Sequence, residues 1–287
     1  MSRSRIRRAR ATETAFRIIT GGCTATVVGL AFFILWQILS RGLPGISLAF
    51  LTLKPGMGMR AGGIFPVIVG TLMSVSLTAV LVLPIGLMAG IYLAEYAPRN
   101  RWTRLVRLAI ANMAGVPSIV YGLFGLAVFV LLMQIGKSLL AASLTLTCLT
   151  LPVVITATEE ALRQVPRDLR QAALALGATR WRAVRKVVLP AAAPGIVTGS
   201  ILGLSRAAGE TAPILVTGAA FFLPTLPDSV FSQFMALPYH LYVLATQVPN
   251  VPEAITWGTA AVLVIGVSIV SVIAAAWRSV QRRKVTW

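Results

Sequence analysis

Charge is scarce in this 287-residue chain: Asp, Glu, Lys and Arg make up 12% of it, against 57% hydrophobic residues and a mean hydropathy of +0.83. A soluble domain carries about a quarter of its residues charged, so an ordinary soluble globular protein is excluded. Acid is scarcer still, with 8 Asp+Glu against 26 Lys+Arg and a net charge of +18. There are two cysteines, Cys23 and Cys148, both inside apolar runs, so neither a disulfide framework nor a thiolate metal site is offered. The one histidine, His240, has no carboxylates clustered around it and reads as a surface residue of a proline-rich loop rather than a ligand. Neither HExxH nor CxxC occurs, and an enzyme would need clustered groups able to move protons, attack or hold a metal. Gly136-Lys137-Ser138 looks like the tail of a phosphate-binding loop. The first glycine of that motif would fall on Leu131, in apolar surroundings, so the match fails.

What is abundant is long apolar runs. They cover residues 18–39, 64–94, 108–133, 139–158, 191–220 and 255–277, each near the ~20 residues that cross a bilayer. The expected fold is all-α, a membrane protein of six transmembrane helices. The first run is preceded by arginines but is too long for a signal core and lacks a small-residue cleavage site, so it reads as an uncleaved helix. Basic residues lie in islands between the runs, which suits a membrane surface and not nucleic acid. With the N-terminus in the cytoplasm, twenty-one of them share one side and four (Arg41, Lys54, Arg60, Lys137) the other. The positive-inside rule then puts both termini in the cytoplasm. The expected divisions are a basic tail (1–17), a first spanning helix (18–40), an outer loop (41–63), a domain of the five remaining helices (64–277) and a second basic tail (278–287). The outer segment 221–253 holds five prolines and many aromatics. It is expected to be an interfacial loop or a docking surface, with a short helix around 231–237.

Two places are out of keeping with a plain bundle. The segment 159–190 is too long to be a simple link between antiparallel helices. Pro166 suits a helix start, Leu169, Ala172, Ala173 and Leu176 share a face, and Gly177 suits a stop. Thr179 can cap a second short helix, on which Trp181, Val184, Val187 and Val188 share a side, before Pro190 and the fifth run. Such a ridge could slot into a partner protein or lie on the bilayer with its arginines at headgroups. The other place is Arg206 with Glu210, four residues apart in the fifth run and roughly 22 Å from Ala191 along a helix. The alternatives are a structural ion pair and a substrate pathway. Intramembrane ionisable groups usually mark such pathways, and a guanidinium can hold a tetrahedral oxyanion by forked hydrogen bonds.

Gln171-Ala172-Ala173, Gly177 and Val187-Val188-Leu189-Pro190 together resemble the E-A-A-x3-G-x9-I-x-L-P signature of ABC importer permeases, with Gln171 and Val187 replacing the usual acid and isoleucine. Gly62-Gly63-Ile64-Phe65-Pro66, Leu93-Ala94-Glu95-Tyr96-Ala97, the stretch Gly115-Val116-Pro117-Ser118-Ile119-Val120-Tyr121-Gly122 and Arg206-x-x-Gly209-Glu210 make the chain similar to PstA-type permeases of the phosphate ABC importer. The resemblance implies a type I importer permease in the bacterial inner membrane. Gln171, Ala172, Ala173, Gly177, Leu189 and Pro190 would then belong to the ATPase-coupling loop, and Arg206 and Glu210 to the substrate pathway. It further implies a homologous PstC-type permease, two ATPase subunits carrying ATP and Mg, an external phosphate-binding protein and surrounding lipid as partners. No cofactor is expected on this chain, nor a nucleic-acid partner. Permeases for sulfate, molybdate or phosphonate, an ion-coupled transporter, and a scaffold without transport are the rivals.

Overall fold

The structure, a computed structural model, describes residues 3–284; the tips of the two basic tails lie outside the described residues. Twelve α-helices follow one another: α1 (Arg3–Gly42), α2 (Leu48–Thr52), α3 (Phe65–Ile91), α4 (Arg101–Ala114), α5 (Ser118–Gly125), α6 (Leu139–Gln164), α7 (Arg167–Ala175), α8 (Arg180–Ala183), α9 (Leu189–Gly209), α10 (Ala212–Thr217), α11 (Leu237–Thr246) and α12 (Glu253–Lys284). A two-stranded hairpin pairs Pro55–Gly56 with Ala61–Gly62. Five helical stretches are long and apolar enough to cross a membrane, Glu13–Gly45, Phe65–Tyr96, Leu139–Gln164, Arg180–Gly209 and Glu253–Trp277, and a bent pair makes the sixth.

The centre of the bundle is α6. Its threonines 145, 147 and 150 are buried, and each hydroxyl donates to the carbonyl one turn back. Polar side chains satisfied within their own helix can be buried without a partner elsewhere. Helices in lipid gain little from apolar burial and associate through close approach of small residues. Accordingly Gly86 and Gly90 of α3 lie against Val154 and Thr158 of α6, and Gly195 and Gly199 of α9 lie against Ala161 and Ala157, with no room for a side chain. At the edge, α1 packs on α12, where Gly42 meets Trp257 and Arg41 sits 5.1 Å over the Trp257 ring. Its apolar residues from Phe16 to Trp36 are exposed, as a lipid-facing helix requires.

Four expectations about extent need correction. The run 108–133 is not one helix, because α4 and the stretch Ser118–Leu132 are bent by 101° at Gly115-Val116-Pro117. Pro117 drives the residue before it off helical geometry, and the Met113 carbonyl at the break accepts both from the Val116 amide (3.2 Å) and from the Tyr121 hydroxyl (2.8 Å). Arg101, Arg104 and Arg107, expected in a loop, therefore stand on a helix that also exposes Trp102, Leu105 and Leu108. The fifth run ends at Gly209 rather than near 220. Glu210 leaves the helix (φ −75, ψ 129), and Pro213 opens α10. At its other end the fifth span begins before Pro190, since α8 continues through a π-helical turn (Val184–Val188) into α9. Finally, both basic tails continue the helices they flank, from Arg3 and to Lys284.

The 221–253 segment is not an interfacial loop throughout. Its helix is α11, not 231–237, and residues 234–237 are buried among the ends of α3 and α6. The Leu237 amide donates 2.8 Å to Thr71 Oγ1, and the amides of Leu139 and Leu140 donate to the carbonyls of Ser232 and Val230. The segment thus supplies acceptors to the open amide end of α6 and is tied to α3 through the Thr71 hydroxyl. His240, expected at the surface, is 2% exposed, and its Nδ1 has no partner among the described residues. Burial pushes its pKa down to about 4. Sequence reasoning weighed the prolines and aromatics but not the demand of a buried helix start for acceptors.

Candidate functional sites at the two ends of the fifth span

Arg206 sits in the last turn of α9, where the partial negative charge of a helix C-terminus favours a cation. Its Nε is 3.3 Å from Glu210 Oε1, in the first non-helical position. The two terminal guanidinium nitrogens donate to no acceptor among the described residues. On this subunit its side chain is 49% exposed and that of Glu210 16% exposed. One Nε contact leaves the fork free, which is the geometry a carboxylate or phosphate takes up bidentately. The break at Gly209-Glu210 brings in a second motif. Gly122 of α5 packs so closely on Ala212 and Pro213 of α10 that a side chain there would strike backbone. Hence Gly115–Gly122 and Arg206–Pro213, far apart in sequence, meet where both spans are broken.

At the opposite end of the fifth span stands the turn between α7 and α8. Gly177 has φ 80, a conformation that costs other residues roughly 1–2 kcal/mol. Thr179 Oγ1 accepts from the Arg182 amide 3.3 Å away and starts α8. Ala173 is buried, while Gln171, Ala172, Leu174, Leu176 and Trp181 are exposed, Leu176 at 89%. The expected face of Leu169, Ala172, Ala173 and Leu176 is therefore split. On the following turn Val184 and Val188 pack inward and Trp181 points out. Leu189 and Pro190 continue the π-helical turn into α9, inside the span Arg180–Gly209.

Sequence reading missed what holds this turn. Arg170 reaches Glu95, at the end of the third helix, with Nη2 2.7 Å and Nε 3.0 Å from Oε1. Its other donors go to the carbonyls of Val165 and Leu162. Arg180 lies 5.4 Å over the Tyr96 ring. The segment Leu93-Ala94-Glu95-Tyr96-Ala97 is thus gripped from α7 and α8 at adjacent residues. Nearby, Glu159 accepts from Arg107 (2.8 Å) and Arg163 (2.7 Å), and Arg107 also donates to the Leu93 carbonyl. The available signal was the rarity of acids: with eight in the chain, one next to an apolar run demands a basic partner.

Comparison with known proteins identifies the class. Residues 86–287 match the family described as binding-protein-dependent transport system inner membrane component, and the chain belongs to that family. It is a multi-pass inner-membrane permease component and not an enzyme. The chain is 36% identical over 268 residues to the phosphate transport system permease protein PstA 1 of Mycobacterium tuberculosis, covering 91% of this chain and 87% of that one. It is also 36% identical over 270 residues to the probable ABC transporter permease protein YqgI of Bacillus subtilis, covering 90% and 91%. Among solved structures, a bacterial alginate ABC transporter matches with a TM-score of 0.63 at 11% identity over 93% of this chain and 94% of its own. The MetNI methionine ABC transporter matches at 0.60 with 20% identity over 76% and 96%. These two likenesses speak to the fold, that of an ABC importer permease.

Proposed function

We propose that this chain is a permease subunit of an ATP-driven importer for inorganic phosphate, forming half of the translocation pathway. What carries the reading is the 36% identity to a PstA protein across about nine tenths of both chains. Arg206 gives it a chemical basis. A phosphate competes with Glu210 for a guanidinium whose terminal donors are free, and Glu210 repels the anion when the pair re-forms. Arg206 is half exposed on an open face of this subunit, which a homologous PstC-type permease covers to complete the pathway. Both termini and the α7–α8 turn face the cytoplasm, a reading supported by twenty-one basic residues against four. Two ATPase subunits, which hold ATP and Mg, dock on the exposed residues of that turn, including Gln171, Ala172 and Leu176. A phosphate-binding protein delivers substrate outside.

The test is uptake of labelled phosphate by cells carrying the complete transporter, competed with sulfate, molybdate and phosphonate. Competition by unlabelled phosphate alone is expected. Arg206→Gln is expected to reduce uptake at least tenfold with the subunit still in the membrane. Normal uptake in that variant would instead fit a scaffold, and equal competition by sulfate a different oxyanion permease.

A further inference from the structure

The basic end of the bundle contains a cavity of about 700 Å³, walled by the ends of α3 and α6 and by α4, α7 and α8. Seven arginines line it, and Glu95 is the sole acid in its wall. Three of the seven are paired with carboxylates: Arg170 with Glu95, and Arg107 and Arg163 with Glu159. A fourth, Arg180, rests on Tyr96. Arg99, Arg104 and Arg167 have no acceptor among the described residues. So many guanidiniums around one hollow repel each other, and a counter-anion would offset that repulsion. Gln171 lines the same hollow without adding an acid.

The walls narrow the ligand. The volume is in the range of small-molecule sites, and three unpaired guanidiniums carry +3, which one phosphate group at about −1.5 to −2 leaves partly unbalanced. The lining residues include no aromatic ring and few apolar ones (Leu93, Ala94, Ala97), so nothing would stack a nucleobase. The basin is also separate from the Arg206 site. Arg180 and Arg206 stand on one continuous span, and twenty-six residues of helix separate them by roughly 39 Å.

We propose that this basin binds a compact anion bearing two or more phosphate groups on Arg99, Arg104 and Arg167. Two sources share that chemistry, a soluble pyrophosphate or short polyphosphate and the diphosphate headgroup of a cardiolipin-type lipid; basic pockets between spanning helices take such headgroups. The inference does not depend on what the protein imports. The test uses the complete transporter in nanodiscs of neutral lipid. One arm titrates pyrophosphate by calorimetry, and the other adds cardiolipin and follows its retention by native mass spectrometry. Binding in at least one arm is expected, falling steeply with salt. Arg104→Gln with Arg167→Gln should weaken it tenfold or more. Gln171→Glu, which leaves the arginines in place and adds a carboxylate to the lining, should weaken it as well. Binding in the first arm alone assigns a soluble ligand, and in the second alone a lipid. Absence of binding in both arms, as when acidic side chains of an ATPase subunit fill the basin, overturns the proposal, and so does binding insensitive to both sets of substitutions.

Discussion

Arg170→Met should loosen the α7–α8 turn more than any other single change in it. The side chain makes two contacts shorter than 3.1 Å to Glu95 and one to each of two backbone carbonyls, and its pair is only 21% and 9% exposed. Removing one partner of a buried pair costs about 3–5 kcal/mol. The guanidinium keeps some solvent contact, so the lower part of that range, about 3 kcal/mol, is the better figure. At 1.4 kcal/mol per factor of ten, the open turn becomes roughly a hundredfold more populated. Trypsin reads this directly, because Arg167, Arg180 and Arg182 in and beside the turn are exposed. Where reclosing outruns cleavage, the rate of cutting follows the open population, so cleavage there should accelerate roughly a hundredfold while distant sites stay unchanged. Arg170→Lys keeps the charge but has a single nitrogen for three acceptors, and it should behave nearly as badly. Exchanging the pair, Arg170→Glu with Glu95→Arg, should not rescue, since the carbonyls of Leu162 and Val165 stay without their donor. Cleavage unchanged in Arg170→Met, or full rescue by the exchange, would refute the argument that this one guanidinium ties the turn to the third helix.

Gly177→Asp should abolish stimulation of the ATPase by the binding protein while the permease still reaches the membrane, because the left-handed turn between α7 and α8 strains any other residue. ATPase assays on the purified assembly, with and without binding protein, check it. His240 is expected to make stability depend on pH. Its pKa falls from 6.5 unfolded to about 4 folded, so the unfolded chain binds the extra proton between those values. Its contribution is complete above pH 6.5 and is lost as pH drops toward 4, by roughly 3 kcal/mol. Melting curves in detergent should show that loss in the natural protein, and His240→Gln should flatten it.

The six apolar runs were legible because length and hydropathy suffice to mark a span, and the α7–α8 turn because Pro166, Gly177 and Thr179 mark its ends by local chemistry. What periodicity could not show was where a long apolar run breaks. Hydropathy continues across Gly115-Val116-Pro117 and across Gly209-Glu210, and only backbone geometry turns those into a 101° bend and a helix end. Nor do apolar runs reveal that residues 230–237 fold back to accept from amides at the start of α6 and to donate to Thr71 of α3. The Arg170–Glu95 contact spans seventy-five positions and depends on how three helices converge, a matter the sequence carries only as an acid too costly to leave alone.

These breaks and ties bear on how a distant ATPase could move the pathway. From Arg180 to Gly209 the chain is one helix, so the turn gripping Glu95 and Tyr96 and the guanidinium of Arg206 are attached to the same rod. Along it, Gly195 and Gly199 lie flush against Ala161 and Ala157 of the central helix. Close-packed small residues of this kind resist separation yet present no interlocking side chains against a tilt. A docked subunit that displaces the turn would then pivot the rod about this contact, and Arg206, on the far side of it, would move the opposite way. Between turn and pivot the rod is π-helical from Val184 to Val188 and contains Pro190 and Pro194, places where backbone bonds are missing or stretched. A rod that bent freely there would absorb the motion. The buried Val184 and Val188 brace that stretch, and their packing decides how much of the displacement reaches Arg206.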